Sequence, residues 1–242
     1  MNESENTEAR PLPWFVDVFL YPTSFSGLIN LGIFWILPII FGVVRSIIRV
    51  PFVFGFFGLA VLSYMFYYYT ECIRASATGA TRAPENSYSM PDITEAGHQL
   101  LEIITSVVIC WGPLIGYMLY RYSYAINDNY VRYEDKIYWL LVGYGVFLFP
   151  MVLLSIIMFN SSAGFNPFIW IASMFSTFFQ YCGLVVLLLV LSFLFQAVAN
   201  YMSQYKLLSF LAGGVLVYFA MIFSHLLGRF YHVNQKELNW EV

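Results

Sequence analysis

Six apolar runs, residues 25–44, 52–69, 103–120, 137–159, 184–199 and 207–227, take up most of this chain. A helix needs about 20 mostly apolar residues to cross roughly 30 Å of hydrocarbon, and runs near that length recur here too often for a soluble core. The 242 residues are 60% hydrophobic and only 10% charged, whereas soluble domains carry roughly 25% charge. No water-soluble fold hides that much apolar surface, so the chain is read as membrane-embedded. A transmembrane β-barrel would alternate apolar and polar residues over segments of about ten. The run GLVVLLLVL that starts at Gly183 does not alternate. The expected fold is therefore an all-α, polytopic transmembrane helical bundle of about six spans, or of five with a re-entrant or interfacial helix.

Three regions follow. Residues 1–23 form a polar tail and an interfacial helix, 24–228 a single transmembrane domain with a polar loop at 78–92, and 229–242 an amphipathic tail. The start carries Glu3, Glu5 and Glu8 against one Arg10, unlike the basic region of a cleaved leader, so the first span is expected to be retained. The segment PWFVDVFLY, residues 13–21, is too short to cross, and Trp14 and Tyr21 suit the interface that aromatic rings prefer. Span one holds Asn30 and Pro38 and ends at Arg45 and Arg49. An arginine at mid-bilayer costs about 2.5–3.5 kcal/mol, so these two mark a surface turn; a re-entrant hairpin is the alternative. Pro51 then suits the first position of the next helix.

The longest polar stretch is 70–102. Glu71 and Arg74 stand at i,i+3 on a helix running past span two, and Gly79 is its expected stop. After a loop through Pro84, Asp92 and Glu95 have capping-box spacing, and Glu95, His98, Gln99 and Glu102 share one helical face. Arg74, Arg82, Asp92, Glu95, His98 and Glu102 make this the expected docking surface for a water-facing partner. Within span three, Gly112 and Gly116 form a small-xxx-small pair around Pro113, a pattern that lets another helix approach closely. Residues 121–136 carry equal numbers of positive and negative groups and read as a solvated cap. Ser173, Ser176, Thr177 and Gln180 form a polar stripe at i, i+3, i+4 and i+7 on an otherwise apolar helix, with Gly183 as its hinge. That stripe suits an interfacial helix or the lining of an intramembrane path. Span six is expected to end at His225 and Gly228.

Chemistry-bearing motifs are scarce. Cys72, Cys110 and Cys182 are odd in number and lack CxxC spacing, which fits small buried residues better than disulfides or zinc. His98, His225 and His232 occur in no HExxH pattern, and no GxSxG is present. His98 and Glu102, at i,i+4, could hold a metal or relay a proton, but a local pair at a helix start accounts for them as well. No catalytic, metal or cofactor residues are assigned, and no basic stripe for nucleic acid is visible. The expected role is a non-catalytic assembly, anchoring or scaffold subunit of a membrane complex, in contact with the lipid bilayer and with other membrane subunits or further copies of itself. The alternatives are a small-solute or ion transporter using the 168–181 stripe and, behind it, a membrane enzyme.

The order of features resembles bacterial multi-pass membrane proteins of unknown function, such as those of planctomycete-type bacteria. The residues that carry this are Gly79, Pro84 and the Met90-Pro91-Asp92 loop, the Gly-Pro span, Asn166-Pro167 as the cap-then-proline start of a short helix, and the tail from Leu227-Gly228-Arg229 to Asn239-Trp240. A more distant likeness is to Yip-type proteins and to the membrane domains of glycerophosphodiester phosphodiesterases. The resemblance implies a bacterial inner-membrane setting and no activity. With six spans, five Lys or Arg residues fall on the side of both termini and six on the other, a tie under the positive-inside rule. Cytoplasmic termini are expected because a polar N-terminus stays where it is made.

Overall fold

The structure, a computed structural model, describes residues 13–47, 51–85, 93–125, 136–159 and 161–240. Asp92, Arg49, the acidic start and most of the 121–136 cap therefore lie outside the described residues. The described elements are helical throughout: α1 Trp14–Leu20, α2 Phe25–Ile47, α3 Pro51–Ala77, α4 Ile93–Ala125, α5 Lys136–Phe159, α6 Pro167–Ser176, α7 Phe178–Ser203 and α8 Lys206–Leu238. Among the described residues five helices, α2, α4, α5, α7 and α8, carry stretches long and apolar enough to cross a membrane. Span two of the sequence reading lies on α3, which is 27 residues long but is not among these five.

Helix α8 is the axis of the bundle, packing against α3, α7 and α2, while α4 packs on α5 and α3. Burial is uneven. Half of the apolar window of α5 is buried, against 17% for α2 and for α4. The core is built where α5, α7 and α8 meet, with Met151, Leu154, Ile156, Tyr181, Ile222 and Leu227 all shielded from solvent. Helices α2 and α4 lie at the rim and turn large side chains such as Ile40, Leu101 and Leu119 outward.

Several local expectations hold. Gly79 adopts φ +95°, and the amides of Gly79 and Ala80 donate to the carbonyls of Ser76 and Ala75. This closes α3 with a Schellman turn that a residue bearing a Cβ would strain. Asn166 caps α6, its side chain accepting from the amide of Phe168 at 3.0 Å, with Pro167 at the first helical position. Arg74 and Glu71 pair at 2.8 Å.

Two expectations are corrected. The break before span five falls at Thr177, φ −115° and ψ 30°, and Gly183 lies inside α7. The Ser173 carbonyl accepts from the amide and the hydroxyl of Thr177 and from the hydroxyl of Ser176. Such back-bonding bends helices, and here it ends one. Gly228 is not a stop either, since α8 continues through it to Leu238, where Asn239 closes the helix in the left-handed conformation. Gly228 is where α8 crosses α3. A Cβ there would stand 2.2 Å from the Ile73 carbonyl oxygen and 2.6 Å from the Ser76 Cβ, so hydrogen is the only side chain that fits.

Candidate functional site

A helix of 33 residues is about 50 Å long at 1.5 Å per residue, well beyond the roughly 30 Å of hydrocarbon. The C-terminal part of α8, the last turns of α3, the first turns of α4, α1 and α6 gather at one end of the bundle as a head. Polar side chains tie it together. Ser26 donates to the Ala83 carbonyl at 2.8 Å, fixing the loop after Gly79 to the start of α2. His232 packs its ring over Gly79, which has no Cβ to obstruct it, and its Nδ1 lies 3.1 Å from the Ala77 carbonyl. Thr70 on α3 meets Gln99 on α4 at 2.5 Å. Its hydroxyl is also 2.6 Å from the Tyr67 carbonyl. The Thr70 hydroxyl thus faces two acceptors, Gln99 Oε1 and the Tyr67 carbonyl.

The expected docking surface divides. Arg82, Glu95 and His98 are exposed. Arg74 is partly covered and engaged with Glu71. Glu102 is buried, its side chain only 6% exposed, with His98 Nδ1 at 3.4 Å. Placing Glu102 on the outer face is thus corrected. Gln99, Glu102 and Ser106 face inward, whereas Leu101, Ile104 and Val108 of the same turns face out. Beside lipid the usual order is reversed, because polar groups find partners only inside the bundle.

The stripe on 168–181 is also largely committed. The indole N–H of Trp240 donates to the Ser173 hydroxyl at 2.8 Å, and Gln180 donates to Glu237 at 3.3 Å. The Trp240 ring packs on Phe159 and Tyr231. These contacts dock the end of α8 onto α6 and α7. Replacing Trp240 with phenylalanine removes one hydrogen bond, about 1 kcal/mol; alanine also removes the ring contacts and should cost about 2–3 kcal/mol. Limited proteolysis of the chain in micelles should show cleavage near residue 238 rising from wild type through Trp240→Phe to Trp240→Ala. Equal cleavage in all three would show that the ring does not hold the tail.

The sequence reading missed a buried polar layer in the head. Tyr21, in the turn after α1, stacks on His225 of α8 with ring centroids 4.0 Å apart, and its hydroxyl donates to the Cys72 carbonyl at 3.4 Å. Burial holds the Tyr21 phenol well above its ordinary range, so it stays a neutral donor. Ser76 of α3 lies 2.8 Å from Nδ1 of His225. One helical turn away, Asp17 pairs with Arg229 at 3.4 Å. Nε2 of His225 and Oδ1 of Asp17 are buried without a hydrogen-bond partner among the described residues. Asp17/Tyr21, Cys72/Ser76 and His225/Arg229 are each i,i+4 pairs, the one signal that could have revealed the layer. Among the described residues no three of His, Cys, Asp and Glu converge as metal ligands.

The packing pair in span three is open. A Cβ on Gly112 would meet only Val108 of its own helix, at 3.9 Å, and one on Gly116 nothing within 4 Å. Leu114, on the other side of the same turn, is buried.

Fold and head together define a multi-pass integral membrane protein of the helical-bundle class. No family model, no curated protein and no solved structure matches the chain.

Proposed function

We propose that the chain is a non-catalytic assembly subunit of a bacterial inner membrane, with both termini cytoplasmic, that associates with a second copy of itself through the outward face of α4. The observation that carries this reading is the open small-xxx-small spacing of Gly112 and Gly116 on α4; single glycines elsewhere, Gly183 among them, are open as well. Gly145, Gly164 and Gly228 are each filled by a neighbour that leaves no room for a Cβ. Gly112 and Gly116 have no neighbour from another helix, on a span that buries only 17% of its window. Each glycine costs a helix about 1 kcal/mol relative to alanine, and nothing within the chain offsets that at these two positions. A close helix partner would. Two copies share one orientation in the membrane, so their α4 faces meet in parallel about an axis normal to the bilayer, the arrangement that small-xxx-small crossings adopt. The exposed Arg82, Glu95 and His98 leave the head available to a water-soluble partner.

The test is energy transfer between donor- and acceptor-labelled copies in lipid vesicles. Gly112→Leu combined with Gly116→Leu should weaken association at least about ten-fold, equivalent to roughly 1.4 kcal/mol. Gly183→Leu, also at an open glycine but on α7, should leave it unchanged. Equal transfer in the double variant and the wild type would sink the reading.

A further inference from the structure

An apolar hollow of about 330 Å³ opens on α8, walled by α2 and α7. Leu31 and Trp35 come from α2, Phe195 and Met202 from α7, and Gly214 and Tyr218 from α8. Gly214 shapes the floor, since a Cβ there would press to 3.3 Å against the Trp35 ring. The polar groups at its wall are tied off elsewhere. The Trp35 indole N–H donates to the Phe210 carbonyl at 2.7 Å, and the Tyr218 hydroxyl donates to the Phe19 carbonyl at 2.5 Å. A hollow with no polar group left to offer does not hold water. Its size falls in the range of small-molecule sites, which are mostly apolar.

We infer that this hollow is a binding site for one acyl chain of a membrane phospholipid, held longer than the lipid around the rest of the bundle. All three walls are candidate membrane spans, so the hollow is continuous with the surface that the bilayer already covers. On α7 the large apolar side chains Phe193, Leu194 and Val198 are exposed. The depth also fits. Arg45, exposed in the last turn of α2, lies ten residues beyond Trp35, about 15 Å along the helix. Half of a 30 Å hydrocarbon core is the same roughly 15 Å. A phosphate at the level of Arg45 meets an opposite charge while its acyl chain reaches the Trp35 ring.

The test uses the full chain reconstituted in vesicles of dibrominated phosphatidylcholine and then extracted into detergent with an excess of unbrominated lipid. Bromine on an acyl chain quenches a tryptophan it touches. The signal from Trp35 is the difference between wild type and Trp35→Phe. The signal from Trp139, whose side chain is open to the bilayer, is the difference between wild type and Trp139→Phe. Trp35 should keep at least half of its quenching after extraction while Trp139 recovers fully. Val215→Phe, which fills the hollow from α8, should abolish the retained quenching at an unchanged melting temperature; if it lowers that temperature, Leu211→Phe serves as the second filling variant. Recovery of Trp35 in step with Trp139 would show ordinary boundary lipid and overturn the assignment. Retained quenching in a folded filling variant would overturn it as well.

Discussion

Substituting Gly228 with alanine is expected to destabilise the folded chain by about 3 kcal/mol, at the upper end of the usual overpacking range. The same substitution at Gly183 should leave stability unchanged or raise it by up to about 1 kcal/mol. The added methyl group is identical and both glycines are helical. What differs is the neighbour: a backbone carbonyl oxygen at 2.2 Å for Gly228, and nothing within 4 Å for Gly183. A backbone oxygen cannot swing aside as a flexible side chain can, so α3 and α8 must part along their crossing. That would loosen Ser76 from His225 and Ala77 from His232 together, because all four residues lie within two turns of Gly228 or of its contact on α3. Thermal unfolding of both variants in detergent micelles measures the difference. Equal melting temperatures would mean that the helices do not meet there.

The second large effect concerns the bond between Ser76 and His225. Ser76→Ala should cost about 1–3 kcal/mol, because it leaves an imidazole that is 1% exposed with neither ring nitrogen bonded. His225→Phe keeps an aromatic ring on Tyr21, and the freed Ser76 hydroxyl can turn to its own helix backbone, so its cost is smaller. The double variant should be more stable than Ser76→Ala alone, since removing both partners of a buried hydrogen bond leaves nothing unpaired. The cycle should yield a coupling of about 1–2 kcal/mol. Simple additivity of the two single effects would show that the contact contributes no stability.

Much of the architecture was legible in the residues. Apolar length located five of the six expected spans, Gly79 and Asn166-Pro167 located helix ends, and the spacing of Glu71 and Arg74 gave their pair. What was not legible followed from the solvent. Reading Glu102 as outward assumed that polar side chains seek the exterior, which holds in water and inverts beside lipid. Gly228 looks like Gly79 in a sequence, yet one supplies a positive φ and the other a missing Cβ. The layer around His225 escaped because its i,i+4 pairs sit on three separate elements, with nothing in the sequence to join them. Only the fold brings Asp17 and Arg229 together, 212 positions apart.

That separation has a consequence for how the protein is made. At about 5–20 residues per second of synthesis, Asp17 emerges roughly 10 to 40 s before Arg229, and Tyr21 waits nearly as long for His225. Throughout that interval the Asp17 carboxylate waits for Arg229, while the Tyr21 phenol can meet the Cys72 carbonyl as soon as α3 is made. The head therefore closes last, when the final helix arrives. Its arrival joins residues made at the two ends of synthesis, Asp17 to Arg229 and Tyr21 to His225.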